Sequence, residues 1–348
     1  MTIRVAAIEV SHWHAVHDPA YLPKLQRIPG VTIAALHDPD ERMAASRAAE
    51  VGNPPIYTDY RLMLEQVKPD FVLALGRHSM MAQYAHYLLD HDFPFIIEKP
   101  VGFNTDEAES VTKKAEAKGA FAAVLMPVRF SEFFREARRG IDESRFGPLS
   151  HIYIRMNRYT SARYPEWGAP WMLDPAVSNG GCLRNLGSHG FDTFLALVDG
   201  EASVVGAQIS RRARGQPVDD YASVLLRSKS GVMGTIEVGN AFPKLTGQDS
   251  AAQGTRLDEI GWSRADGEWK VCGRDALLSA KDGMLRWVTV DSDTERPCSP
   301  ETSVAFQALK ETLEYFQAGK PPPVPVRHGY RATKLIDEAY ALAGKALT

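Results

Sequence analysis

The groups best suited to chemistry fall in a few short runs. Glu98-Lys99-Pro100 follows the apolar run Phe93 to Ile97, which puts a primary amine at the carboxyl end of a strand. A lysine there can bind and polarise a hydroxyl, or can be a solvated cation at a strand exit. Farther along, Gly180-Gly181 lead into Cys182-Leu183-Arg184-Asn185-Leu186-Gly187-Ser188-His189-Gly190-Phe191-Asp192. On a helix Asn185, His189 and Asp192, at i, i+4 and i+7, share one face. Imidazole exchanges protons near neutrality and an amide does not titrate, so His189 is the member of this stripe able to move a proton. The stripe either faces solvent or lines a site.

The first apolar run ends at Glu9-Val10-Ser11-His12-Trp13-His14. A dinucleotide turn calls for G-x-G-x-x-G there, so that backbone N–H groups reach the pyrophosphate. All three glycine positions, 9, 11 and 14, hold other residues. A Glu9 carboxylate ~5 Å from a phosphate charge costs about 3 kcal/mol at an effective dielectric of ~20. His12, His14 and His17 crowd the same turn and admit three readings: protonated donors to phosphate, a metal site, or a packed turn bonded to backbone. Asp38 ends the second apolar run, where an acid accepts from adenosine ribose hydroxyls and favours NAD over NADP, or caps the helix beginning near Asp40. The segment 157–171 gathers Arg158, Tyr159, Arg163, Tyr164, Trp167 and Trp171. Aromatic faces pack on the apolar faces of sugars and arginine pairs with carboxylate or phosphate, so a carbohydrate, cyclitol or sugar acid suits them, as does a subunit interface.

Positioning these groups requires two kinds of domain. Residues 2–125 repeat a short apolar run, a turn and a helical stretch, the grammar of a parallel α/β sheet. The runs are Ile3 to Val10, Val31 to Leu36, Ile56-Tyr57, Phe71 to Leu75, Phe95 to Ile97 and Phe121 to Leu125, with Thr105 as a candidate cap for the helix after Pro100. This is a Rossmann-type domain over 1–127. From 128 to 348 the apolar residues alternate, as in Ser150 to Tyr159, Ser203 to Ser210, Ala222 to Arg227 and Val232 to Val238, which marks a mainly antiparallel, open-faced sheet in an α+β domain. The polar segment 241–270 reads as a long hairpin or mobile loop, and Pro321-Pro322-Pro323 separates a helix around Val304 to Ala318 from a last helix around Arg331 to Leu347.

Composition narrows the function. The 348 residues carry 40 basic and 43 acidic side chains, a net charge of −3 with His neutral, which offers no positive field for nucleic acid or an anionic membrane. Cys182, Cys272 and Cys298 lack paired spacing, so neither a disulfide framework nor a zinc knuckle is indicated, and a cytoplasmic setting is expected.

Taken together, the EKP tripeptide at 98–100, the DPD exit at 38–40, W-x-x-D at Trp171 to Asp174, the glycines at 180 and 181, and G-x-H-x-x-D at Gly187, His189 and Asp192 resemble the glucose-fructose oxidoreductase, inositol dehydrogenase and MocA family of dehydrogenases. The resemblance spans nearly the whole chain. It implies an N-terminal domain that binds NAD, with NADP less favoured and no metal, and a second domain that covers a sugar-like substrate and mediates a homodimer or homotetramer. It makes Lys99, His189 and Asn185 the catalytic positions, with Lys99 polarising the reacting hydroxyl and His189 exchanging its proton. Asp192 would orient the histidine helix or the substrate. The family aspartate of D-x-G-x-H is Asn185 here. Glu9, Ser11, His12, Trp13, His14, Asp38, Gly76, Glu98 and Lys99 become cofactor-facing positions. Lys99, Arg129, Arg158, Arg163, Trp167, Trp171, Asn185, His189 and Asp192 become substrate-facing ones. It also implies a cis Lys99-Pro100 bond. The activity expected is hydride transfer between a nicotinamide cofactor and a sugar, cyclitol or sugar-acid hydroxyl or carbonyl; the alternative is a non-redox ligand-binding or regulatory protein on the same scaffold.

Overall fold

The computed structural model describes residues 2–17, 19–158, 163–198, 200–243, 266–298 and 303–346. Its first half alternates strand and helix: β1 (Ile3–Ile8), α1 (Tyr21–Gln26), β2 (Val31–His37), α2 (Glu41–Ala49), β3 (Ile56–Tyr57), α3 (Tyr60–Val67), β4 (Phe71–Ala74), α4 (Met81–Asp90), β5 (Phe95–Ile97), α5 (Thr105–Lys118) and β6 (Ala122–Val124). All six strands pair in parallel in the order β3-β2-β1-β4-β5-β6. β4 is buried at every residue, as a central strand covered by helices on both faces must be. Asp40, Asp59 and Asn104 start α2, α3 and α5 by accepting hydrogen bonds from their first-turn amides. The α5 cap is thus Asn104; the hydroxyl of Thr105, expected to cap, instead donates to Asp337 at 2.6 Å.

The second half comprises α6 (Glu132–Asp142), β7 (Leu149–Asn157), α7 (Pro175–Ser178), α8 (Cys182–Leu197), β8 (Ala202–Ser210), β9 (Tyr221–Ser228), β10 (Met233–Gly239), β11 (Asp266–Gly273), β12 (Ala276–Lys281), β13 (Met284–Thr289), β14 (Asp293–Pro297), α9 (Val304–Gln317) and α10 (Val326–Ala346). Its eight strands run β14-β13-β12-β11-β7-β10-β9-β8, antiparallel except for the β7–β10 pair. Burial alternates along β9 and β10. The inner residues Ile152, Val224, Ile236 and Val238 pack with Phe191 and Phe194 of α8, while Val205, Leu225 and Met233 lie exposed on the strands. The sheet is therefore open on one face.

The strands β11–β14 exceed what the alternation in the sequence marked, and the segment 241–270 falls mostly on 244–265, outside the described residues. α10 begins at Val326, immediately after the prolines, rather than at Arg331. The chain also returns to the first domain. Ala305, Leu309 and Leu313 of α9 join the same cluster as Ile3, Leu22 and Phe71, and the Val124 amide donates to the Val324 carbonyl at 2.9 Å.

The start of α8 decides where its polar stripe points. Its N-cap is Gly181, which has no side chain to accept the first amides, so a carboxylate arrives from another segment. Asp219 accepts from the amides of Gly181 at 2.7 Å and Leu183 at 2.8 Å, and from the Tyr340 hydroxyl at 2.6 Å. The approach is so close that a Cβ on Gly181 would lie 2.0 Å from the Asp219 carbonyl oxygen. Gly181→Ala is therefore expected to lower unfolding free energy by at least about 1–3 kcal/mol, read as a shift of the denaturation midpoint. An unchanged midpoint would show that the cap can move aside.

Candidate active site

Glu9, Arg77 and Lys99 follow the carboxyl ends of β1, β4 and β5; the strand order reverses between β1 and β4, the place at which such sheets hold ligands, and β5 is the next strand along. The Lys99-Pro100 bond is cis. Lys99 is 2% exposed, and its amine donates to the Asn185 carbonyl at 3.1 Å and also to the Asn185 side-chain oxygen. Asn185 in turn donates through Nδ2 to the Tyr164 hydroxyl at 2.6 Å. The polar stripe of α8 thus lies in the interior, with Asn185 against Lys99 and His189 one turn farther on.

Burial lowers the Lys99 pKa below that of a free amine, with Arg158 acting in the same direction and Glu98 against it. His189 lies well below the ordinary imidazole value, first because it is desolvated and then because Lys99 is positively charged nearby. His14 and His78 are depressed by the same two causes, His78 to about 3, and His12 by burial first, then by His14 and, more weakly, Lys99. The site is a set of neutral imidazoles around one amine.

Their tautomers follow from the hydrogen bonds. His14 Nδ1 lies 2.7 Å from Glu98 Oε1, so a neutral ring donates there, while the other Glu98 oxygen accepts the Lys99 amide at 2.8 Å. His78 Nδ1 donates to the Ser178 carbonyl at 2.7 Å, leaving Nε2 as a bare acceptor. His12 Nδ1 accepts the His14 amide at 3.2 Å, which leaves its proton on Nε2. His12 Nε2, His78 Nε2, Trp171 Nε1 and His189 Nδ1 are all buried without a hydrogen-bond partner among the described residues. Trp171 sits 5.8 Å from His12 and 5.3 Å from His78 between ring centroids. Unpaired donors and an acceptor in one buried place are costly unless a ligand satisfies them.

Several of the expected site residues have partners within the protein. Glu9 does not oppose the crevice with a loose charge. Its backbone takes the left-handed φ of 56° that glycine adopts freely, and its buried carboxylate accepts from Arg77 Nε at 2.5 Å and the Tyr84 hydroxyl at 2.6 Å. Asp38 holds the Ser11 amide at 2.6 Å and the Asp40 amide at 3.0 Å, so it braces the turn while Asp40 caps α2. The histidines of the turn go to separate partners: His12 stacks on Trp13, His14 binds Glu98 and His17 stacks on Trp167. Trp167, expected at a substrate mouth, is buried with Trp13 and Tyr164 in an apolar cluster, and the buried Arg163 lies over its ring. Arg129 and Asp192 are bound to each other through two hydrogen bonds, at 2.6 and 2.9 Å, and Arg129 also donates to His328.

Gly76, with φ 53°, turns the chain at the exit of β4 just before Arg77. Arg158 bears on the site through its charge, which depresses Lys99, His14 and His189, whereas Tyr159 lies outside the described residues. His78, Arg77, Tyr84 and Asp219 escaped the sequence reading. The signal for the first two was their place at a strand exit, right after Phe71 to Leu75.

A parallel sheet with this strand order, a buried lysine at its reversal and an imidazole helix from an open-sheet domain define a two-domain, nucleotide-fold oxidoreductase. Family models agree: residues 14–126 match "Oxidoreductase family, NAD-binding Rossmann fold" and residues 134–256 match "GFO/IDH/MocA C-terminal domain". The chain belongs to the GFO/IDH/MocA oxidoreductase family. Inositol 2-dehydrogenase 2 of Saccharopolyspora erythraea is 24% identical over 61% of this chain and 60% of that protein. D-glucoside 3-dehydrogenase of Escherichia coli is 23% identical over 48% of this chain and 46% of that protein. The chain thus matches well under two thirds of these relatives' length. An oxidoreductase from Agrobacterium radiobacter, solved with NAD+, L-tartaric acid and magnesium, superimposes with a TM-score of 0.84 at 16% identity, over 99% of this chain and 97% of that one, and shares the fold.

The depressed imidazoles have a thermodynamic consequence. Unfolded, His12, His14, His78 and His189 take up protons near pH 6.5; folded, they do so only well below it. The unfolded state therefore binds more protons as pH falls, and their contribution to stability, complete above about pH 6.5, declines below it by up to about 1.4 kcal/mol per pH unit for each ring. Denaturation midpoints should fall between pH 7.5 and 5, a range above ordinary carboxylate titration. A flat profile would mean that these rings titrate normally.

Proposed function

We propose that the protein is an NAD(H)-linked dehydrogenase or reductase acting on a hydroxyl or carbonyl of a sugar, cyclitol or sugar acid. The observation that carries this reading is the desolvated Lys99 amine held against Asn185 of α8, with the neutral His189 one turn away. The unpaired polar atoms of His12, His78, Trp171 and His189 support a ligand that both donates and accepts, as a polyhydroxylated molecule or a carboxamide does. On that ground the crevice fits a nicotinamide dinucleotide at its reactive end, with Glu98, His14 and Lys99 at the lip of β5. Asp38, at the end of β2, keeps further lone pairs beyond those taken by the Ser11 and Asp40 amides, and an acid at that place favours NAD over NADP.

When bound, the nicotinamide supplies the acceptor or donor of hydride. Lys99 binds the reacting oxygen, and its charge favours the developing alkoxide. His189, neutral, accepts the hydroxyl proton in oxidation and returns it in reduction. Asn185 fixes the amine but transfers no proton, so the acid–base work falls to His189 and Lys99. Arg158 places a further positive charge beside them, which suits a sugar acid. The exposed Val205, Leu225 and Met233 on the open sheet support a homo-oligomer. Among the described residues no helix is long and apolar enough to cross a membrane.

The competing reading, a non-redox ligand-binding protein, draws on the first turn, whose amides are largely spent: Val10 on the His37 carbonyl, Ser11 on Asp38, His12 on the Glu9 carbonyl and His14 on the His12 ring. Titration with NAD, NADH, NADP and NADPH decides between them, since absence of binding up to millimolar concentrations removes the dehydrogenase. Lys99→Met and His189→Gln are each expected to lower kcat/KM by about 10²–10⁴-fold while leaving NADH affinity within a few-fold. Oxidation requires His189 as the free base, so kcat/KM should hold level from pH 8 to about 6.5 and decline only at lower pH. A limb centred near pH 6.5 or above would contradict the assignment of His189.

A further inference from the structure

The chain offers a substitute for the missing glycine turn. Glu9 and Arg77 face each other across the β1–β4 boundary, at the reversal of strand order, and they differ sharply in exposure: the Glu9 side chain is 1% accessible and that of Arg77 38%. Only Arg77 Nε is engaged, by Glu9; its two terminal Nη groups have no hydrogen bond among the described residues. Glu9 is itself fixed by the Tyr84 hydroxyl at 2.6 Å and by its own amide, which donates to His37 Nδ1 at 3.2 Å. Arg77 is therefore held by its inner nitrogen, while the rest of its guanidinium remains partly exposed beside the β1–β4 boundary. Such a fork suits phosphate oxygens bidentately.

We infer that Arg77 is a phosphate-binding residue for the dinucleotide pyrophosphate, positioned by the buried Glu9–Tyr84 pair, and that this contact replaces the amide cradle of a glycine-rich turn. The inference rests on the dinucleotide reading above and adds to it the residue that carries the phosphate charge. Each piece accounts for another. The turn's amides are consumed internally, so the anion needs a different donor. Glu9, repulsive toward phosphate if free, is instead the anchor that orients the cation. The partly exposed arginine has two terminal nitrogens, with four N–H donors, left over at the place where the diphosphate of a bound dinucleotide crosses from one half of the sheet to the other.

The experiment measures NADH and NADPH binding by fluorescence titration for the wild type, R77Q, E9Q and E9Q/R77Q, at low and moderate salt. The double variant removes the guanidinium without leaving a buried carboxylate unpaired, which separates lost binding from lost folding. R77Q relative to wild type, and E9Q/R77Q relative to E9Q, should weaken both dinucleotides by about 10- to 100-fold and flatten the salt dependence of binding. Affinity within about twofold in both pairs, with wild-type binding intact, overturns the inference and leaves the dehydrogenase reading standing. Loss confined to NADPH would place Arg77 on a 2′-phosphate and overturn it too. A wild-type protein that binds neither dinucleotide removes the underlying reading, and the inference falls with it.

Discussion

A single buried contact between domains, the Lys99 amine on Asn185, organises the active-site region. Among the described residues the amine is held only by two neutral oxygens, which is an expensive way to bury a cation, so the contact survives because its surroundings give it no cheaper arrangement. The cis Lys99-Pro100 bond and the Glu98 clasp on the Lys99 amide fix one side. The Asp219 clasp on the first amides of α8 fixes the other. Both partners are thus set by backbone amides that donate to nearby carboxylates, which is how a strand exit and a helix from different halves of the chain come to share an enclosed space.

That enclosure accounts for the electrostatics. Four imidazoles lie near one amine, and the desolvation that disfavours charge on each is reinforced by the charge of the lysine. The site stays polar without being ionic. Neutral rings with defined tautomers can direct hydroxyl groups by orientation, and a proton arriving on one of them meets little competition from carboxylates, since Glu98 is already bound by His14 and the Lys99 amide. The Arg129–Asp192 pair joins α8 to the segment after β6 and to His328 of α10.

Much of this was legible in the sequence. Strand positions in the first half follow from doubly buried apolar runs. The strand exit that carries Lys99 follows from an apolar run, and the shared helix face of Asn185 and His189 from i, i+4 spacing; that the two elements meet does not. The side-chain directions were not legible. Nothing local to Glu9 foretells that its carboxylate turns toward Tyr84 and Arg77, because both lie about seventy residues away and reach it only through strand pairing. For the same reason the pairing of Arg129 with Asp192 and the packing of Trp167 on Trp13 are not foretold by their neighbours in sequence. The strands β11 to β14 were obscured by polar and glycine-rich composition, which registers as loop when the cross-strand partner is out of view.

The return of α9 has a consequence for how this protein can be divided. Ala305, Leu309 and Leu313 complete the core beneath β1 and α1, so the nucleotide-binding half is not a continuous stretch of gene. A fragment cut after residue 127 would leave bare the apolar groove that this late helix fills, and would be prone to stick to other chains. On the ribosome the same groove waits until nearly the entire polypeptide has been made, so the part translated first is among the last to be sealed.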